Sequence, residues 1–195
     1  AYARSKVDAE HFVQSLRDKG ANIAITYPTG VMGPDDPALS EGNQSVLFIL
    51  NNCHVNTSSG LQIIDVRELA AAQVGLLEQR KSGRYPVSGH YISWREFGRL
   101  LEEVVDRRVP RLSLPGPVMR GLGSTMDFIG KFRDLDIPVT REGMEFATRW
   151  VVNDDSKLRR ELNISYRPLQ DTLADTVKWL ALAGHIDPKW VANIT

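Results

Sequence analysis

The sequence predicts an α/β fold that passes into a smaller, mostly helical second part, and three observations predict it. An amphipathic helix over residues 3–19 is followed at once by a short β-prone run, which is half of an α/β unit. The order strand, helix, strand then recurs between residues 61 and 88. Beyond Ser93 the apolar spacing is almost entirely that of helices.

Along the first helix Val7, Ala9, Phe12, Val13 and Leu16 recur on one face, and Gly20 supplies the stop. Residues 22–27 read as a strand broken by Pro28, and 29–43 as a loop rich in Gly, Pro and Asp. Residues 61–64 form the next strand and 66–80 a helix that Asp65 can cap. The strand at 84–88 lies between Gly83 and Gly89, and Pro86 demands an edge position or a pairing gap. Ser93 and Glu96 have capping-box spacing ahead of Phe97, Leu100, Leu101 and Val104. Further helices are expected within 117–133 and over 140–150, then a short strand at 150–152. Asp154 or Asp155 caps a helix reaching Leu162, and a last helix spans 169–183 before Gly184. The division that follows is a sheet-containing part at 1–92, with a loop insertion around 28–59, and a smaller helical subdomain at 93–195.

Hydrophobic residues make up 42% of the chain and charged residues 25%, which fits a folded globular protein. Lys+Arg and Asp+Glu balance at 24 each and no basic stripe appears, so the footprint required by nucleic acid is missing. Cys53 is the only cysteine, and there is neither a signal sequence nor an apolar run long enough to span a bilayer; the expected location is cytoplasmic. His11, His54, His90 and His185 lack companions at metal-ligand spacing, so no metal is expected. The opening at Ala1, without an initiator Met and directly into a helix, points to a fragment, a processed chain or a domain.

Tyr2 and Lys6 stand four residues apart on that helix, so both emerge on one face. A tyrosine titrating near 10 is a poor acid or base at neutral pH, and a nearby ammonium favours its phenolate. Lysine also donates several hydrogen bonds, enough to hold ribose hydroxyls.

Tyr2-Ala3-Arg4-Ser5-Lys6 with Ala9-Glu10, then Thr26-Tyr27-Pro28-Thr29-Gly30-Val31-Met32-Gly33-Pro34, resembles the active-site helix, strand and loop of extended short-chain dehydrogenases/reductases. Ile64-Asp65-Val66-Arg67-Glu68-Leu69-Ala70 and Gly83-Arg84-Tyr85-Pro86-Val87-Ser88-Gly89 are similar to later segments of the dihydroflavonol reductase and 3β-hydroxysteroid dehydrogenase branch. Asp154-Asp155-Ser156-Lys157, Glu161-Leu162, Tyr166-Arg167-Pro168-Leu169 and Trp179 match its closing segment. The resemblance implies the C-terminal part of a Rossmann-like doubly wound sheet plus a substrate-binding subdomain. It implies hydride transfer with NAD or NADP to or from a carbonyl or alcohol, Tyr2 moving the proton and Lys6 binding the ribose and tuning Tyr2. Pro28, Thr29, Gly30 and Val31 would lie against the nicotinamide.

Two departures qualify that pattern. The family's glycine loop, and with it the N-terminal half of the sheet, has no counterpart, nor has its Ser/Thr proton relay; Tyr27 also replaces the usual Arg before proline. The chain is therefore expected to be part of a longer enzyme, its uncovered helix packing on the missing half or on a second copy. A chain that truly lacked the loop would instead be a non-catalytic binding protein. A nucleotide-sugar epimerase or dehydratase is the enzymatic alternative, for which Arg107, Arg108 and Arg111 would have to hold a diphosphate rather than form a solvated helix end.

His90, Tyr91 and Trp94 follow the last predicted sheet strand, where ligand crevices form, and are candidate pocket residues. Met119 and Met126 join them from the apolar segment 117–132, which reads as core or dimer packing or, alternatively, as a lid or a membrane-touching helix. Arg67 and Glu68 read as a surface pair.

Overall fold

The computed structural model describes residues 2–121, 141–149 and 151–194. Helix α1 (Tyr2–Asp18) leads into strand β1 (Ala24–Pro28), which pairs in parallel with β5 (Gly83–Val87), Ala24 opposite Gly83 and Pro28 opposite Val87. A second sheet is centred on β4 (Gly60–Asp65), with β2 (Gly30–Met32) parallel on one side and β6 (His90–Ser93) antiparallel on the other. Strands β3 (His54–Asn56) and β7 (Arg111–Ser113) form a third, short parallel pair. The helices between and after them are α2 (Glu41–Asn51), α3 (Val66–Glu78), α4 (Trp94–Val105), α5 (Arg141–Thr148), α6 (Ser156–Leu162) and α7 (Leu169–Leu182).

Strand alternation divides the apolar residues of β4 between two cores. Leu61 and Ile63 face one that holds Met32, Val46, Phe97, Leu101, Leu173 and Val177, contributed by β2, α2, α4 and α7. Ile64 faces the other, built from Ala72, Leu76, Tyr85, Val87 and Leu158. The carboxyl-terminal stretch thus returns to the sheet: α6 packs beside β5, and α7 lies against α4.

Local signals account for the starts of two helices. Asp65 accepts the Arg67 backbone N–H at 2.8 Å at the head of α3, and Ser93 with Glu96 forms the expected capping box at α4. Pro86 does sit on an edge, because β5 has β1 on one side and no second strand among the described residues.

Several expectations need correction. The 28–59 stretch is no loop: it contains β2, α2 and β3. Residues 90–93, to which the sequence assigned no element, form β6, and β7 was not anticipated. Val151 and Val152 belong to no strand; they are exposed, and the neighbouring Asn153 is instead held by the Gln62 side chain, which accepts its N–H at 2.7 Å and donates to its C=O at 3.0 Å. Arg67 does not pair with Glu68 but with Asp65 and Asp175, each at 2.7 Å. Residues 116–121 are helical, and the rest of the 117–133 helix lies outside the described residues.

Candidate active site

Helix α1 reverses into β1 through a tight exit, in which Gly20 N–H donates to Arg17 C=O at 2.8 Å and Ala21 N–H to Leu16 C=O at 3.1 Å. Glu10 ties the helix to β5 by pairing with Arg84, the second residue of that strand, at 2.5 Å. Lys6 and Tyr2 lie about one and about two helical turns before Glu10. The Tyr2 side chain lies outside the described residues; Lys6 is exposed.

At the carboxyl end of β1 the Pro28–Gly30 turn crosses to β2, changing sheets. Thr29 ties the turn to the end of β5: its N–H donates to Val87 C=O at 3.3 Å and its hydroxyl to Ser88 C=O at 2.7 Å. Both donors of Thr29 are thereby engaged, so what it can offer a ligand is acceptors, its carbonyl and the hydroxyl lone pairs. Gly30 lies close to β4, since a Cβ there would come within 3.1 Å of Gln62 C=O. Such a site, at the carboxyl ends of two parallel strands, is where open α/β sheets bind ligands. Burial, and then the Glu10 carboxylate, pushes the Tyr27 phenol above its ordinary value, so the residue standing in for arginine is neutral.

No family model matches the chain. Sterol demethylase protein B of Methylococcus capsulatus is 24% identical over 189 residues, which cover 95% of this chain and 58% of that protein. A dihydroflavonol 4-reductase-like protein of Synechocystis is 26% identical over 200 residues, covering 95% of this chain and 56% of its own. Among solved structures, a nucleoside-diphosphate-sugar epimerase from Pseudomonas aeruginosa matches with a TM-score of 0.72 at 19% identity, over 93% of this chain and 55% of its own. A UDP-glucose-4-epimerase from Stenotrophomonas maltophila, solved with bound NAD and formylated UDP-arabinopyranose, gives 0.62 at 20% identity, over 94% and 55%. The chain is thus similar in sequence to these two proteins and in fold to nucleotide-sugar epimerases. It spans little more than half the length of these relatives.

In this chain the expected pocket residues separate into two groups. His90, in β6, donates from Nε2 to Arg167 C=O at 2.8 Å and meets the Tyr166 ring edge-on at 6.0 Å, while the next residue, Tyr91, is exposed. Trp94 donates its indole N–H to Ala147 C=O at 3.0 Å, and the adjacent Thr148 accepts from Arg120 at 2.9 Å. The end of α5 therefore joins Trp94 to the helical segment carrying Met119, which is buried. Met126 lies outside the described residues. Arg111 pairs with Glu102, whereas Arg107 and Arg108 are exposed beyond the end of α4. Among the described residues no cluster of His, Cys, Asp and Glu could hold a metal.

Three residues to which the sequence assigned no part in the site brace its backbone. Asn43 fixes the backbone of Gly33, Asp155 fixes the end of β5, and Tyr166 donates to Asp155 at 2.8 Å. Burial first, and then that hydrogen bond, pushes the Tyr166 phenol up, so it is a permanent donor.

Proposed function

We propose that this chain carries the catalytic-helix part of an NAD(P)-dependent oxidoreductase that transfers hydride to or from a carbonyl or alcohol. Tyr2 gives or takes the proton at the substrate oxygen. Lys6 binds the ribose of the cofactor and lowers the Tyr2 pKa. The turn from Pro28 to Val31 lies against the nicotinamide and presents backbone to its carboxamide. Bound cofactor supplies or accepts the hydride.

The observations that support this reading are that Tyr2 and Lys6 share a helix tied to β5 through Glu10 and Arg84, and that Thr29 ties the turn after β1 to the carboxyl end of β5, where open α/β sheets bind ligands. The residues present fit a nicotinamide: a turn with its hydroxyl already engaged, a glycine against the next strand and a lysine one helical turn from a tyrosine. A reductase is favoured over a nucleotide-sugar epimerase, because Arg111 is already paired with Glu102 rather than presented to a diphosphate. The 26% identity to a dihydroflavonol 4-reductase-like protein supports the same choice. The substrate is then a small apolar carbonyl compound of flavonoid-like, steroid-like or aldehyde type.

The test is substitution in the enzyme with its cofactor bound. Tyr2→Phe is expected to lower turnover by about 10²–10⁴-fold with cofactor affinity within about twofold, and Lys6→Ala to weaken both. Near-normal turnover by Tyr2→Phe would overturn the assignment.

A further inference from the structure

Asp155 is 5% exposed and its carboxylate is surrounded by donors from three separate parts of the chain. One oxygen, Oδ2, accepts the consecutive backbone N–H groups of Ser88 and Gly89, each at 3.1 Å, and the Tyr166 hydroxyl at 2.8 Å. The other, Oδ1, accepts from Arg159 Nε at 3.0 Å. Two successive N–H groups aim at one oxygen here because Gly89 adopts φ +66°, a conformation L side chains rarely take. A Cβ at that position would also lie 1.9 Å from Ile63 C=O.

Fixing the Ser88 and Gly89 N–H groups fixes the carbonyl between them. That carbonyl, of Ser88, is the acceptor for the Thr29 hydroxyl at 2.7 Å, and the preceding Val87 carbonyl accepts the Thr29 N–H at 3.3 Å. A continuous path of hydrogen bonds therefore runs from Asp155 through the Ser88–Gly89 peptide to the turn at Thr29. A carboxylate suits the task better than an amide, since all its lone pairs accept and charge-assisted hydrogen bonds are the stronger ones.

We propose that Asp155 is a positioning residue for the nicotinamide-facing turn Pro28–Val31, holding it through the Ser88–Gly89 peptide without touching the cofactor. This rests on the assignment of that turn to the cofactor. Tyr166 acts with it as the permanently protonated third donor, and Arg159 balances the buried charge from its outer side.

Amide hydrogen exchange of the 195-residue chain tests the positioning without any cofactor. In Asp155→Asn and Asp155→Ala, exchange at Thr29 is expected to accelerate at least tenfold more than at Ile64 in the core strand. Tyr166→Phe, which deletes one donor and keeps the ring, should give a smaller change of the same kind, and Arg159→Ala less than threefold. Equal acceleration at Thr29 and Ile64 in every Asp155 and Tyr166 variant, or none at Thr29, would overturn the proposal. In the cofactor-loaded enzyme, Asp155→Asn should raise the cofactor KM about tenfold or more, with a smaller effect on kcat. A loosened Thr29 with an unchanged cofactor KM would instead remove the turn from the cofactor site, and the functional half of the proposal with it.

Discussion

Asn43 grips the backbone of Gly33 from both sides, its side-chain oxygen accepting the Gly33 N–H at 3.3 Å while its side-chain nitrogen donates to the Gly33 carbonyl at 2.8 Å. Both residues are buried, so neither backbone group has water as a substitute. Asn43→Leu would leave a donor and an acceptor unpaired in the core and is expected to destabilise the fold by about 2–4 kcal/mol. Asn43→Asp, which sets a buried carboxylate against the Gly33 carbonyl, should cost at least as much at neutral pH and less where the carboxyl is protonated. Urea titration followed by circular dichroism measures both.

That pair also shows where the sequence could be read and where it could not. Helices α1, α3 and α4 were legible because their apolar spacing and caps are local: Gly20, Asp65, and Ser93 with Glu96 act within a few residues. Helix α2 was hidden because its first turn contains Gly42 and Asn43, which look like loop punctuation. Both are internal contacts instead: a Cβ on Gly42 would lie 2.0 Å from Val31 C=O, and Asn43 reaches Gly33. Strands β2, β3 and β7 have three residues each, too short for alternation to register. Asp155 does stand at the N-cap of α6 but makes no side-chain cap bond there; the first helical N–H, of Ser156, goes to Asp154 at 2.9 Å. The backbone partners of Asp155, Ser88 and Gly89, lie 67 and 66 residues away, a separation no local pattern reports. The positions of Tyr2 and Lys6 on one helix were legible from spacing; the Glu10–Arg84 pair that ties this helix to β5 was not.

Asp65 should make the fold acid-sensitive. Burial alone would raise its carboxyl pKa, but hydrogen bonds from Arg67 and from Thr172 outweigh that and hold it below the ordinary value. A depressed folded value means the unfolded chain takes up the proton first. The stabilisation is therefore complete above the unfolded pKa near 4 and is lost as pH falls through the lower folded value. Asp65→Ala, which strands Arg67 and Thr172, is expected to cost about 3–5 kcal/mol at pH 7, with the gap to wild type narrowing toward pH 2. Thermal melts across that range decide it, and a gap independent of pH would contradict the assignment.

His54 imposes a second pH dependence in a higher window. Its ring is 1% exposed, packed near Trp94 and Phe97, and Nε2 donates to Trp94 C=O at 2.6 Å, which fixes the neutral tautomer. Burial lowers its pKa, opposed by the bond to Trp94, with Arg111 lowering it and Glu102 raising it further. The unfolded chain thus binds the proton more readily. Stability should be complete above about pH 6.5 and decline as pH falls from there toward the folded value. His54→Gln should flatten the slope between pH 6.5 and 5, read from urea midpoints; a slope unchanged in the variant would assign it to another group.

The outer face of α1 sets the last expectation. Phe12 is 64% exposed and Val7 52%, although amphipathic spacing had marked both as inward-facing, and β1 has β5 beside it but no second strand among the described residues. An apolar helix face next to an open strand edge is the kind of surface that other protein chains cover. The 195-residue chain on its own should accordingly associate as its concentration rises, burying this face. Phe12→Glu places a charge at its centre and should shift the association to at least tenfold higher concentration. Phe48→Glu, on the exposed side of α2 at 46% exposure, is the matched control and should shift it little. Sedimentation velocity over a hundredfold concentration range separates the cases: equal effects of the two charges would reduce the association to non-specific adhesion, and a monomer throughout would show that this face needs no cover.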